Sequence, residues 1–236
     1  MPNKCPANWQ QSGKTDLVAS RDPEIKTWRE KRLKGIQPSA GLVVAEIAAE
    51  PALGHSWHFE DSLCAARLRD AYMRLTRELN PGLYREIVLL CIGTDRSTGD
   101  SLGPLVGTRL VRLNIPRAFV YGTLESPVHA ANLVRTLADI SSRHGEPFIV
   151  ALDACLGRCE RVGYINVRPG QIHPGSAVKK DLPPVGDLHI SGVVNVAGFL
   201  EHLVLQNTRL YLVHQMAEVI TAGLWQAHVL LTAHEH

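Results

Sequence analysis

Glu86-Ile87-Val88-Leu89-Leu90-Cys91-Ile92-Gly93-Thr94-Asp95-Arg96-Ser97-Thr98-Gly99-Asp100-Ser101-Leu102-Gly103-Pro104 changes character twice. Ile87 to Ile92 is a short apolar run rich in branched side chains, the pattern of a strand buried on both faces. From Gly93 to Asp100 every residue except Arg96 is Gly, Thr, Ser or Asp. From Leu102 a helical period takes over, with Leu105, Val106, Leu110 and Leu113 at three- and four-residue spacing. Strand, polar glycine loop, helix is the local signature of an open α/β sheet, where ligands bind beyond the carboxyl ends of the strands.

Working outward, further strands and helices alternate. Asp61 is placed as the N-cap of a helix from Ser62 to Leu79, with Cys64, Leu68, Ala71, Tyr72, Leu75 and Leu79 as its apolar stripe and Asn80-Pro81-Gly82 as its stop. Ala118 to Thr123 reads as a second strand. Ser126-Pro127 then starts a helix running to about His144. Pro147 to Asp153 reads as a buried strand ending on a carboxylate, and Val162 to Val167 as another strand. A proline-punctuated segment, Arg168 to Ser191, is long enough to suggest a functional loop. Beyond it the pattern predicts a helix over Gly192–Asn207, a strand over Arg209–Val213 and a final helix over Met216–Ala233. The class this implies is α/β, with a mostly parallel sheet covered on both faces.

Residues 1–55 show no sustained periodicity. They are expected to be an extension, partly disordered or draped on a single domain spanning 56–236, with one short helix over Asp22–Arg32 and an apolar segment over Leu42–Ala49. The first 34 residues carry a net charge of +4 and the rest of the chain −2. A total of +2 gives no reason to invoke nucleic acid. No apolar run is long enough for a membrane span, and the N-terminus lacks a signal core, so a cytoplasmic protein is expected. The five cysteines are an odd number without a secretion signal, which argues against a disulfide framework. Cys155 and Cys159 have three residues between them and no second pair to complete a zinc site.

The residues that could carry chemistry are Asp100 and Asp153. Each follows a buried strand; if the two strands are sheet neighbours, both carboxylates meet in one crevice. Two carboxylates held close cannot both ionise easily, so one keeps a proton and the pair can act as acid and base on a shared water. Simpler readings stand beside this one: Asp100 as a helix cap, Asp153 as a strand-end turn residue, Asp95 as the working carboxylate in place of Asp100. The glycine loop could instead cradle a phosphate, but it lacks the P-loop lysine and contains two acids. No cofactor motif is present. The one opening is a divalent metal on two carboxylates and a histidine, with His173 and His189 the histidines of interest by position.

Four segments carry a family resemblance: Gly93–Pro104, Ala151–Gly157, His173-Pro174-Gly175-Ser176-Ala177-Val178, and Leu182-Pro183-Pro184-Val185-Gly186-Asp187-Leu188-His189-Ile190. Together they resemble the YyaC-type sporulation proteins, candidate spore proteases of endospore-forming bacteria. More distantly, Asp100–Pro104 and Leu152-Asp153-Ala154 are similar to the spore germination protease, an atypical aspartic peptidase, and to the hydrogenase maturation endopeptidases. The resemblance implies a phosphorylase/hydrolase-like three-layer α/β/α sandwich. It places the germination protease's catalytic aspartates at Asp100 and Asp153. The nickel-contacting acids of the hydrogenase peptidases fall at the same positions, with His189 as counterpart of their histidine. It further implies a protein or peptide substrate, contacted by Asp95, His173, Ser176 and His189, in a sporulating cell or forespore. A non-catalytic regulator or binding protein on the same fold, and a metal-dependent maturation-type endopeptidase, are the competing functions. Oligomeric state has no signature in the sequence.

Overall fold

A computed structural model describes residues 55–174 and 182–233. The sequence's expected extension, apart from His55, and Ser176 in the proline-rich segment lie outside these residues.

Six strands form one sheet in the order β1-β5-β6-β4-β2-β3. They are β1 (His55–His58), β2 (Ile87–Cys91), β3 (Ala118–Tyr121), β4 (Phe148–Gly157), β5 (Tyr164–Pro169) and β6 (Leu188–Val196). The central run β6-β4-β2-β3 is parallel, while β5 pairs antiparallel with both β6 and β1. All five residues of β2 are buried, as its unbroken apolar sequence demands.

Helices cover both faces. On one side α1 (Cys64–Leu79), α2 (Leu102–Arg112) and the long α5 (Leu210–Ala233) pack Leu68, Tyr72, Val106, Leu110, Met216 and Ile220 against Leu89, Val150 and Ile190 of the sheet. On the other, α3 (Leu133–His144) lays Leu133, Leu137 and Ile140 onto Val88, Leu90, Ile149 and Ala151. The alternation of odd and even strand residues between two cores is the period of two that a double-faced sheet requires. Truncating a fully buried leucine such as Leu68 or Leu89 to alanine should cost about 2–5 kcal/mol. The architecture is the expected three-layer α/β/α sandwich with a mostly parallel sheet.

Several local expectations need correction. The first helix begins at Cys64, not Ser62: the Asp61 carboxylate accepts from the Leu63 N–H (2.9 Å) and its carbonyl from the Cys64 N–H (2.8 Å), so Asp61 turns the chain two residues ahead of the cap position, Leu63. Leu79 and Leu113, counted in apolar stripes, are exposed at helix ends. Ser126-Pro127 does not start a helix. Val128 bridges Ile92 in parallel fashion, and its carbonyl accepts from the Gly93 N–H at 2.8 Å, so the chain stays with the sheet until α3 begins at Leu133. The expected helix over Gly192–Asn207 is β6 as far as Val196, followed by the short α4 (Glu201–Gln206). β4 runs on past Asp153 to Gly157, and Gly192 to Val196 pair alongside it. The expected strand over Arg209–Val213 is the first turn of α5.

Candidate functional site

The polar loop after β2 is held by two glycines that admit no side chain. A Cβ on Gly93, whose φ is +138°, would overlap the Asp100 carbonyl oxygen, and one on Gly103 would overlap the Ile92 carbonyl. Each glycine thus lets the start of α2 lie directly on the end of β2. The Thr94 N–H donates to the Asp100 carbonyl at 3.1 Å and the Asp100 N–H to the Ser97 carbonyl at 3.1 Å. Gly99–Ser101 form a 3-10 turn leading into α2. Asp100 does not cap that helix. The residue ahead of it is Ser101, whose Oγ donates to the Thr98 carbonyl at 2.7 Å.

Asp153 arrives on the neighbouring strand. Ile92 donates its N–H to the Leu152 carbonyl at 2.7 Å, which sets Asp153 beside the glycine loop. On its other side Asp153 is level with Ser191 of β6. Both aspartates line one cavity of about 450 Å³ at the carboxyl ends of β2 and β4. This is the crevice that a parallel sheet is expected to offer a ligand.

The electrostatics divide the pair. Asp153 is 7% exposed. Burial, reinforced by the negative charge of Asp100, pushes its carboxyl well above the ordinary range, and a hydrogen bond from the Ala154 backbone only partly opposes this. Asp100 is also raised by burial, but the Thr94 backbone and the imidazole of His129 pull it back. Among the described residues neither carboxylate makes an ion pair. Two carboxyls coupled in this way titrate as a pair, and the pair holds one proton into a pH range where a lone carboxyl has lost it.

The remaining candidates separate. Asp95 is exposed at the loop tip and does not line the cavity; His173 is exposed as well, although its neighbour Pro174 does line it. His189 sits on β6 level with Ala151, one side-chain repeat short of Asp153, and its Nδ1 lies 2.9 Å from the Gly170 carbonyl. It is outside the cavity lining. Asp100, Asp153 and His189 are therefore not brought together as a metal-binding set, and no group of three or more such donors occurs among the described residues.

The proline-rich segment does contribute, through Pro174 and Leu182 in the cavity wall. Three groups line the cavity that the sequence does not assign to it. Glu201, His202 and Leu205 of α4 form a wall, hidden because this short helix was merged with β6 into one apparent helix. Cys155 also lines the cavity, with its thiol pushed up to about 11, chiefly by burial, which leaves it protonated and a poor nucleophile. His129 is the third, from the loop mistaken for the start of α3. The Ser97 hydroxyl is enclosed at the same cavity and has no protein partner among the described residues.

Comparison with known proteins places the chain among relatives. A family model described as "Protein of unknown function (DUF1256)" matches residues 57–223. Over 160 residues the chain is 52% identical to "Uncharacterized protein YyaC" of Bacillus subtilis (strain 168), covering 68% of this chain and 78% of that protein. Among solved structures it is similar to that of the Hydrogenase 3 maturation protease, with 16% identity and a TM-score of 0.36, covering 61% of this chain and 90% of that one.

Proposed function

We propose that this chain, which belongs to the DUF1256 family, is a peptidase whose working groups are Asp100 and Asp153. The observation that carries the reading is a pair of neighbouring carboxylates on one cavity, neither in an ion pair among the described residues, one raised by burial and by the other's charge. Buried carboxylates kept for structure are normally paired with a cation; Asp153 instead feels the negative charge of Asp100, an arrangement suited to acid–base work.

The ionised Asp100 takes a proton from a bound water as its oxygen attacks the peptide carbonyl carbon. Asp153 gives its proton to the carbonyl oxygen, producing a tetrahedral diol. On collapse the C–N bond breaks, Asp100 returns its proton to the amine nitrogen, and a diol hydroxyl re-protonates Asp153. Both carboxyls end in their starting state.

The setting we propose is sporulation, supported by the relationship to YyaC-type proteins, with a protein or peptide as substrate. Residues 1–55 would be an extension to the catalytic domain. Incubating the full chain with extracts of sporulating cells and reading out new peptide termini tests the proposal. New termini are expected with the wild type and none with D100N or D153N. Unchanged cleavage by both variants, or a wild type that produces no new termini, overturns it and leaves a binding protein on a peptidase fold.

A further inference from the structure

We propose that His129 is a third working group of the cavity, whose Nε2–H donates to the carbonyl oxygen of a bound peptide. This rests on the peptidase reading above and adds a residue to it.

His129 is firmly held. Val128, just before it, is tied to the end of β2 through its bridge to Ile92 and its carbonyl, which accepts from the Gly93 N–H. The His129 N–H donates to the Asn132 Oδ1 at 2.8 Å, while its carbonyl accepts from the N–H groups of Asn132 and Leu133, both at 3.0 Å. The Asn132 side chain closes the loop by donating to the Pro127 carbonyl at 2.9 Å. The residues just ahead of α3 are thus folded into a bracket clipped to the strand that leads into the Asp100 loop. A side chain on such a bracket keeps its position relative to the catalytic carboxylates, the condition for preorganised catalysis.

The tautomer follows from a backbone contact. The Ala131 N–H donates to Nδ1 of His129 at 3.2 Å, so Nδ1 acts as an acceptor and the neutral ring carries its proton on Nε2. That leaves Nε2 as the group the ring can offer to the cavity it lines. The charged and titratable side chains sharing this cavity are Arg96, Asp100, Asp153, Glu201, His202 and Cys155. Of these it is Asp100 whose carboxyl is pulled down by the positive charge the ring carries when it takes up a second proton, which puts the imidazole on the side of the base. A carbonyl attacked by water activated at Asp100 develops negative charge on its oxygen. Asp153 and the Nε2–H of His129 are then two donors from different strand ends for that oxygen.

Long-range proton–nitrogen correlation spectra of the full-length wild type read the tautomer directly. We expect a protonated Nε2 and a bare Nδ1. In H129Q and H129A, the titration of the Asp100 carboxyl carbon should move to higher pH as the positive charge of the protonated ring is lost. Against a cleaved peptide, H129A should lose about 10²–10³-fold in kcat with KM little changed. H129Q, which keeps an N–H donor of similar reach, should recover at least part of that loss. A ring protonated on Nδ1, an unmoved Asp100 titration, or H129A turning over at the wild-type rate would each overturn the assignment. The two spectroscopic readings need no turnover. Their failure beside an active wild type that D100N silences therefore removes His129 alone, whereas an inactive wild type removes the peptidase reading and the role of His129 with it.

Discussion

Asp153 and Asp187 are both carboxylates beside the central strands, at opposite ends of the sheet, and the fold treats them in opposite ways. Asp187, just before β6, is saturated. The Arg85 Nη2 lies 3.1 Å from its Oδ2, which also accepts from the Ile149 N–H at 2.9 Å, while its own N–H donates to the Ile149 carbonyl at 2.7 Å. Arg85 further donates to the carbonyls of Glu146 and Pro147, so the cluster binds the entry of β6 to the entry of β4. Asp153, further along β4, has no ion-pair partner among the described residues and a second carboxylate for a neighbour. One end of the sheet is arranged for stability, and the other bears an electrostatic cost, which the proposed peptidase reading explains.

Three perturbations sharpen or break this contrast. The largest effect is on turnover: D100N and D153N should each lower kcat at least 10³-fold while leaving the fold intact, measured by cleavage assay and circular dichroism. Next comes pH. His228 on α5 is buried, between the Tyr72 hydroxyl (2.8 Å) and the Pro116 carbonyl (2.9 Å), and burial depresses it to about 4. The unfolded chain takes up this proton as pH falls through the ordinary histidine value of 6.5, whereas the folded protein does not until about 4. Stability is therefore complete above pH 6.5 and declines on acidification towards 4, by roughly 3 kcal/mol from this one group. Urea unfolding at stepped pH should show that slope, and H228Q should remove it. Smallest, D187A should cost roughly 2–3 kcal/mol because it leaves Arg85 half-buried without its partner, yet kcat of the folded fraction should stay at the wild-type level. A D187A protein of normal stability and reduced kcat would invert the contrast between the two ends.

How much of this was legible in the chain follows from the kind of signal each part carries. β2, its glycine loop, α2 and Asp153 could be read because a buried parallel strand is an apolar run, and a polar interruption at its end stands out. The pairing of Asp100 with Asp153 needed only that the two strands be neighbours, and they are. The segment from Gly192 to Val213 misled because Gly-Val-Val-Asn-Val-Ala fits a buried helix as well as a strand. What decides it is the continued pairing with β4 beyond Asp153, a long-range fact absent from local pattern. His129 was missed for a related reason. Ser126-Pro127 has the form of a helix start, but the single bridge between Val128 and Ile92 overrides it, and one bridging residue leaves no periodicity to detect. His189 was favoured on resemblance, and the register places it one repeat away from the cavity.

The central claim is that Asp153 is held for chemistry at the expense of stability, and one variant reads both halves. A carboxyl whose folded pKa is raised contributes stability below its unfolded value and loses it as pH rises, so at pH 7 the buried Asp153 weakens the fold. D153N replaces it with a neutral side chain of the same shape. Thermal unfolding and peptide-terminus release, measured side by side at pH 7 on wild type and D153N, should show a higher Tm together with lost cleavage. A D153N protein that melts lower than wild type, or that still cleaves, would contradict the account.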